Sequence, residues 1–325
     1  MIKLDKKDKR ILSAIDMDGR ANSVQLAKKV QLSREMVEYR LKRLSKENLI
    51  SQPHTVFDLD ILGYRSFRLL LRLFNLSQKE KQELIQYFSK HPNTWWVALV
   101  GGKWDIILNF VAIDSAQFNE IFEEIVSKYG QFLQDYEVLI YIDVHDFARK
   151  YICDTKQTHE FYHKMRLNTK VQVDKTDYKL MSLISNNAAL SYTTIGEELK
   201  LTRNAIKARL QYLEKSGLIL GYRASIHPSI METRSYLLLL NINNLKKERE
   251  RELIEFARIH PNIIFVVKHI GKYRVTFECE VVNENAFHDL LSQVRDRFND
   301  ILVDFDFFPI FYDHKINYFP LAIGK

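Results

Sequence analysis

The sequence contains one pattern twice, and this repeat limits the folds that the chain can adopt. Shifting the 325 residues by 169 positions aligns the second half with the first without a gap, from Leu4 to about Phe147. The segment LSREMVEYRLKRLSKENLI at 32–50 then faces LTRNAIKARLQYLEKSGLI at 201–219. A repeat of about 145 residues is too long for a solenoid unit and long enough to bury its own core. The repeat therefore predicts two copies of one folded module.

The hydrophobic period changes once within each copy. In residues 4–50 apolar side chains recur every three or four positions, which predicts three helices. From about Tyr64 the pattern becomes strand-like, with apolar runs at 67–74, 94–100, 106–113 and 136–144, separated by helical stretches at 77–90 and 116–129. The order β-α-β-β-α-β is typical of a ferredoxin-like body. We therefore predict an α+β protein with two winged or helix-turn-helix heads, each followed by a ferredoxin-like βαββαβ body.

The same change of period predicts the domain boundaries. Between the copies lies a basic and aromatic segment that is not rich in Gly or Ser, which indicates a semi-ordered connector. The predicted parts are a first head at 1–52, a first body at 53–147, the connector at 148–172, a second head at 173–222 and a second body at 223–325.

The spacing of helices in the heads indicates DNA binding. In copy 1 the second helix ends near Val30 and the third opens at Ser33, which is helix-turn-helix spacing, and the third helix of such a unit enters a DNA major groove. A three-helix core with a solvated basic face is the alternative. The candidate DNA-binding residues are Ser33, Arg34, Glu35, Tyr39, Arg40, Lys42 and Arg43 in the first head and Thr202, Arg203, Asn204, Lys207 and Arg209 in the second.

The distribution of charge supports the DNA-binding interpretation. The chain carries a net charge of +7, of which residues 1–50 hold +6, whereas the first body at 51–147 is −5. Positive charge on the heads is what neutralisation of phosphates requires. The second head at 173–222 is only +2 and has Ala208, Gln211 and Tyr212 where the first has Tyr39, Lys42 and Arg43. The second head is therefore expected either to bind DNA more weakly or to serve mainly in holding the pair together.

Residues 4–50 resemble the head of the leucine-responsive and asparagine-synthase regulators, the Lrp/AsnC transcription factors. The matching features are Leu4-Asp5 at the start, Asp18-Gly19-Arg20, Leu26-Ala27, Leu32-Ser33 and Arg40 followed by Leu44. The resemblance implies a transcriptional regulator of double-stranded DNA whose bodies pair through their sheets, form homo-oligomers and bind small effectors, often amino acids, between bodies. The usual chain of this family has one head and one body. The duplication therefore suggests an internal pseudo-dimer.

Two turns are candidate effector sites. Gly102-Lys103-Trp104-Asp105 resembles the family's Gly-x-Tyr-Asp turn, and its counterpart in copy 2 reads Gly271-Lys272-Tyr273-Arg274. A carboxylate there could accept from a ligand ammonium, while glycines allow backbone N–H groups to approach a ligand carboxylate. The alternative is a structural hairpin. The candidate effector residues are Gly101, Gly102, Trp104, Asp105, Gly271 and Tyr273.

Other function classes find little support in the sequence. No apolar run is long enough to span a membrane, no secretory signal is visible, and Cys153 and Cys279 form no CxxC pair, so a cytoplasmic protein is expected. His159-Glu160-Phe161-Tyr162-His163 matches HExxH but lies in the connector, so we predict neither a metal site nor a catalytic residue, and no cofactor. One alternative is an enzyme resembling fused sirohaem decarboxylases, with His54, His145 and His314 as candidates at a tetrapyrrole pocket. A scaffold that does not bind DNA is another.

Overall fold

The computed structural model describes residues 3–153, 159–166 and 171–324 of the chain. Its elements follow the duplicated order. The helices are α1 Lys6–Asp16, α2 Ser23–Val30, α3 Arg34–Lys46, α4 Gln78–Lys90, α5 Ser115–Tyr129, α6 Lys175–Ser185, α7 Tyr192–Leu199, α8 Arg203–Lys215, α9 Lys247–Ile259 and α10 Glu284–Phe298. The strands are β1 His54–Phe57, β2 Arg65–Leu73, β3 Thr94–Val100, β4 Ile106–Ala112, β5 Leu133–Phe147, β6 Glu160–Lys164, β7 Ile219–Arg223, β8 Arg234–Ile242, β9 Ile263–Ile270, β10 Val275–Val281 and β11 Leu302–Ile316.

Side-chain caps fix where the helices of both heads begin. Asp5 before α1 accepts from the backbone N–H of Asp8, whose carboxylate accepts in turn from the N–H of Asp5, and Asp174 and Asp177 repeat this capping box before α6. Ser33 caps α3 by accepting from the N–H of Met36 at 3.2 Å. The sequence prediction of a third helix opening at Ser33 is therefore confirmed.

The two bodies combine into one closed barrel. Each body is a four-stranded antiparallel sheet with its two helices on the outer face. The strands run β2-β4-β3-β11-β8-β10-β9-β5, and β5 returns to β2, which closes a barrel of eight strands. Closure gives the edge strands of the two bodies, β3 and β5 in copy 1 and β9 and β11 in copy 2, partners in the other body. The predicted internal pseudo-dimer of ferredoxin-like bodies is thus confirmed.

The last strand of each copy forms the seam between the bodies. β5 pairs with β2 of its own copy through residues 133–140 and then with β9 of the other copy through residues 140–146. β11 likewise pairs with β8 and then with β3. Each seam strand is fifteen residues long, which gives it enough length to serve both sheets.

Each head packs against the other copy. The core of the first head, including Ile11 and Leu44, also contains Ala224 and Ile226 from copy 2. The core of the second head contains Phe57 and Ile61 from copy 1. Between the heads, β1 and β7 pair antiparallel into a two-stranded ribbon, so that the strand following each head meets the strand following the other. We call this pair of strands the shared ribbon.

A buried charge network fixes the first head on the barrel. The Asp16 carboxylate at the end of α1 accepts from Arg149 Nη1 at 2.9 Å and lies 3.4 Å from Arg223 Nε. Arg149 also binds Glu280 at 2.9 Å, and Arg223 pairs with Asp146. Burial alone would raise the pKa of Asp16, but the charges of Arg223 and Arg149 outweigh it and lower that pKa. Asp16 therefore stays ionised and links α1 to strands of both bodies.

Part of the connector forms a strand that the sequence analysis did not predict. β6 pairs with residues 143–147 of β5, on the side of β5 away from β9, and the flanking residues 154–158 and 167–170 lie outside the described part of the chain. Within the described ranges, no helix has both the length and the apolar character needed to cross a membrane.

Replacing Asp16 by Asn should weaken the attachment of the first head. The neutral amide would leave donors of Arg149 and Arg223 unpaired, and we expect the free energy of unfolding to fall by roughly 1–3 kcal/mol, measured as a lower midpoint in urea. Because the folded pKa of Asp16 is lowered, this contribution is present above pH ~4 and disappears as the pH falls through the folded pKa. Asp18→Asn, an exposed carboxylate two residues later, is the matched control and should stay within about 0.5 kcal/mol.

Candidate DNA-binding surface and the barrel cavity

The exposed face of α3 carries the polar side chains of the first head. Tyr39 is 69% exposed, and Ser33, Arg34, Glu35 and Lys42 are also exposed. Arg34 pairs with Glu38 at 2.7 Å one helical turn away. Both partners of this ion pair face solvent, so the pair adds little stability and releases Arg34 easily to a phosphate or a base.

Two of the predicted DNA-binding arginines are instead bound within the head. Arg40 Nη1 donates to the Asp8 carboxylate at 2.6 Å and to Asp5 at 2.9 Å, and Arg43 Nη2 donates to Asp8 at 2.6 Å. The Asp8 side chain is fully buried. A buried carboxylate requires such partners, so Arg40 and Arg43 clamp α3 onto α1.

In the second head, too, the third helix has an arginine bound within the head and polar side chains exposed to solvent, but fewer of its residues are basic. Arg209, the counterpart of Arg40, binds Asp177 at 2.7 Å and Asp174 at 2.9 Å. Thr202 caps α8 by accepting from the N–H of Ala205 at 3.2 Å. Arg203, Asn204 and Lys207 are exposed on the outer face of that helix.

The predicted effector turns lie at the seam of the barrel, each against the other copy. Trp104 and Tyr273, which are counterparts under the 169-residue shift, are both buried in the barrel core with Phe308. Gly102 has a φ of +95°, and Gly271 has a φ of +141°. A Cβ on Gly101 would lie 2.8 Å from the ring of Phe311.

Asp105 contributes to the hairpin itself. Its carboxylate accepts from the backbone N–H of Leu73 at 2.8 Å, and its own N–H donates to the carbonyl of Leu71. These contacts give the turn residues structural roles. An effector at these turns stays a prediction.

A cavity of about 220 Å³ occupies the half of the barrel nearest the heads. The other half is filled by apolar side chains, among them Leu70, Trp104, Tyr273 and Phe308. The cavity wall includes His54 of the shared ribbon together with aromatic side chains of both copies, namely Trp95, Trp96, Tyr141, Phe265 and Tyr318.

Polar groups inside this cavity were missed by the sequence analysis. Four buried atoms on its wall have no hydrogen-bond partner among the described residues: Arg68 Nη1, Trp95 Nε1, Asn109 Nδ2 and Thr276 Oγ1. Glu278 also lines the cavity, and burial, with the charges of Asp313 and Glu280, raises its pKa to about 7. The signal that could have found the site is a charged residue within an apolar strand, since Arg68 and Glu278 both interrupt such runs.

The three histidines considered for a tetrapyrrole pocket do not come together. His54 lines the cavity and stacks on Tyr318 with ring centroids 3.8 Å apart, and burial lowers the pKa of His54 to about 3, so it is neutral. His145 lies on the part of β5 that pairs with β6, and its Nδ1 atom is 3.5 Å from the Glu160 carboxylate. His314 is exposed on β11.

In the HExxH sequence, His159 precedes β6 and the other four residues belong to that strand. A strand cannot place these side chains as the helical zinc motif requires. Residues of a strand alternate between its faces, so Glu160 and His163 on β6 point in opposite directions. Glu160 binds Arg258 at 3.2 Å. His163 instead approaches Asp58 and Asp60, with potential metal-binding atoms within 4.8 Å of one another. Arg166 and Arg65 already pair with these two carboxylates, at 3.3 and 3.1 Å, so the group is an ion-pair cluster.

These features define a class of protein: two helix-turn-helix units mounted on a barrel made from two ferredoxin-like bodies. The family described as winged helix-turn-helix DNA-binding matches residues 4–51 and 173–219. An uncharacterised HTH-type transcriptional regulator of Pyrococcus horikoshii is 31% identical over 121 residues, which cover 36% of this chain and 79% of that protein. The HTH-type transcriptional regulator LysM of Sulfurisphaera tokodaii is 38% identical over 123 residues, covering 38% and 85%. The chain therefore belongs to the HTH-type transcriptional regulators, as a tandem protein of the Lrp/AsnC kind.

The fold of the whole chain also occurs in the solved structure of an enzyme. The crystal structure of the siroheme decarboxylase NirDL matches 98% of this chain and 95% of its own, with a TM-score of 0.65 and 10% sequence identity. At that identity the similarity shows a common fold and says nothing about a common reaction.

Variants at Arg40 and Lys42 should separate the effect on stability from the effect on DNA binding in the first head. Arg40→Ala leaves buried Asp8 with one partner fewer, and we expect a loss of roughly 1–3 kcal/mol of stability. Lys42→Ala removes an exposed cation, so stability should change by less than about 0.5 kcal/mol while the salt slope of DNA binding falls by about one. Thermal unfolding and fluorescence anisotropy at several salt concentrations measure the two effects. Equal stability of the two variants would contradict the clamp.

Proposed function

We propose that this regulator binds double-stranded DNA sequence-specifically, with α3 of the first head as its main reading helix. The observation that carries the proposal is the exposed row of Arg34, Tyr39 and Lys42 on a helix that is capped at Ser33 and clamped from behind by Arg40 and Arg43. The clamp holds the helix rigid, while the side chains at its outer face stay free for base edges and phosphates. A protein that binds chromosomal DNA must be in the same compartment as that DNA. We therefore propose that this protein is cytoplasmic.

The second head is proposed as the weaker reader. It presents Arg203, Asn204 and Lys207, but Gln211 replaces the exposed cation Lys42, and Tyr212 replaces the clamp residue Arg43. Tyr212 donates to the backbone carbonyl of Gln172 just before α6, so this position serves the head and not DNA. With two unequal heads, one chain would prefer a site whose halves differ.

The regulator is further proposed to respond to a small effector bound between its bodies. It is also proposed to form oligomers through contacts between the bodies of different chains. Phe311 is 58% exposed and Tyr312 is 67% exposed on β11. Adjacent exposed aromatic side chains of this size favour burial against another protein surface. A second copy of this chain is the proposed partner.

Replacing Arg34 by Ala should weaken binding to the selected DNA site and relax its sequence preference. If Arg34 contacts a guanine edge, the loss of affinity is about five- to 150-fold. Arg203→Ala in the second head should cost less. Selection from a random duplex pool followed by anisotropy at two salt concentrations measures both.

Lys79→Ala is the matched control for these variants. Lys79 is 86% exposed on α4 of the first body, so its loss removes a surface cation without touching a head. Affinity should then stay at the wild-type value. An Arg34→Ala protein that selects the same motif with the same affinity would contradict the assignment of Arg34.

The enzymatic alternative makes a different prediction for tetrapyrroles. A cavity of about 220 Å³ lies below the ~300–1,000 Å³ of pockets for drug-sized ligands, and a sirohaem-type ring system is larger still. We therefore expect iron-uroporphyrin mixed with the protein to keep the Soret band of the free compound. A stoichiometric Soret shift that is lost in His54→Ala would favour a decarboxylase-like activity over regulation.

A further inference from the structure

Arg68, Asn109 and Glu278, three polar residues of the cavity, belong to one layer of the barrel wall. Paired residues on neighbouring strands lie opposite each other, and their side chains point to the same face of the sheet. The layer consists of three such residues from each copy, Arg68, Asn109 and Trp96 in copy 1 and Leu237, Glu278 and Phe265 in copy 2. All six line the cavity.

The two halves of this layer are equivalent in position but not in chemistry. The 169-residue shift places Leu237 on Arg68 and Glu278 on Asn109. A symmetric homodimer would have to present the same side chains twice. The duplicated chain instead offers a guanidinium and an amide on one wall and a leucine and a carboxyl group on the other. The cavity can therefore distinguish the two ends of a ligand.

Arg68 is a buried cation without an anion. Its side chain donates from Nε to Asn109 Oδ1 at 3.1 Å and from Nη2 to the Tyr141 hydroxyl, and its guanidinium lies 5.5 Å from the ring centroid of Trp96. Among the described residues no carboxylate lies within ion-pairing distance of it, and Nη1 has no partner. Arg68 is only 3% exposed, and a buried guanidinium is costly unless it is paired. The site therefore favours an anionic ligand.

The other free atoms agree with this conclusion. Asn109 Nδ2 and Trp95 Nε1 are both donors without partners, so the ligand must supply acceptors. Apart from Glu278, the acidic side chains of the wall are already engaged, since Asp146 pairs with Arg223, Asp60 pairs with Arg65 at 3.1 Å and Asp313 accepts from Trp96 Nε1 at 2.8 Å.

We propose that the cavity is the effector site of this regulator and that it binds a small organic carboxylate with a planar apolar body. Arg68 Nη1 and Asn109 Nδ2 bind the carboxylate, while the aromatic side chains of Trp95, Phe265 and Tyr318 contact the planar body. Glu278 on the opposite wall offers a hydrogen bond to the far end. The proposal rests on the proposed DNA-binding function and locates its effector.

The position of the cavity connects a bound ligand to both heads. His54, on its wall, is the first residue of β1, and its ring nitrogen Nδ1 lies 3.1 Å from the Ser225 hydroxyl just beyond β7. β1 and β7 are the shared ribbon, and each follows one head along the chain. A ligand that contacts His54 and Tyr318 therefore contacts the element that sets the spacing of the two reading helices.

Tryptophan fluorescence of the full chain tests the site directly. The only three tryptophans are Trp95, Trp96 and Trp104, two on the cavity wall and one in the adjoining barrel core. We expect phenylacetate and 3-phenylpropionate at millimolar concentration to change the fluorescence saturably, and phenylacetamide, which is neutral and nearly isosteric with phenylacetate, to do so far less.

Two variants test the binding of the ligand carboxylate by Arg68, and a third variant is the control. Arg68→Met keeps the volume of the side chain and breaks no ion pair, so it should fold and bind the acids about ten-fold or more weakly. Asn109→Asp places a carboxylate beside Arg68 and should exclude the acids in the same way, which covers the case that Arg68→Met does not fold. Arg72→Met changes an exposed arginine on the same strand and should bind as wild type. Equal binding of acid and amide, unchanged binding in Arg68→Met, or no binding of either acid would overturn the proposal.

Anisotropy with labelled DNA tests the regulatory part. The acids should change the DNA affinity of wild type and of Arg72→Met, but not that of Arg68→Met. Saturable binding in the cavity without any change in DNA affinity would overturn the effector assignment. DNA binding without ligand is measured in the same titration, so a failure of the DNA-binding function itself appears separately, as no retention of DNA in any sample.

Discussion

The pairing of each long terminal strand with both bodies is the interaction on which the rest of the structure depends. β5 and β11 each begin in their own sheet and end in the other. Backbone hydrogen bonds thereby close the barrel, and closure removes the sheet edges that two separate bodies would expose. Closure also creates an interior, in which one half is packed with apolar side chains and the other holds the cavity.

The exchange of heads between the copies follows from the same pairing. Since the copies are held side by side, β1 and β7 meet in the shared ribbon and each head lies on the other copy's body. Asp16, Arg149 and Arg223 then fix the first head with charges that are buried and mutually paired. The proposed reading helices are thus mounted on the barrel, and this mounting is the route by which we propose that a bound ligand affects their spacing.

Duplication within one chain allows the copies to differ in ways that two identical subunits cannot. The first head is more basic than the second, and within the barrel Arg68 and Asn109 face Leu237 and Glu278. Both asymmetries concern groups that would contact a ligand. Some structural groups occur in both copies, as in the capping boxes of α1 and α6 and in the buried pair Trp104 and Tyr273.

The sequence by itself determined the repeat, the order of elements in each copy and the helix-turn-helix heads, because helical and strand periodicity and capping residues are local properties of the chain. It also identified Arg34 and Lys42 as exposed basic groups on α3. It could not show that Arg40 and Arg43 bind Asp8, since that contact spans more than thirty residues and depends on how α1 crosses α3. Nor could it predict β6, the shared ribbon or the cavity. β6 depends on its pairing with β5, and the shared ribbon and the cavity depend on strand pairing between the copies. Only that pairing decides which side chains of an apolar strand face a core and which face an interior space.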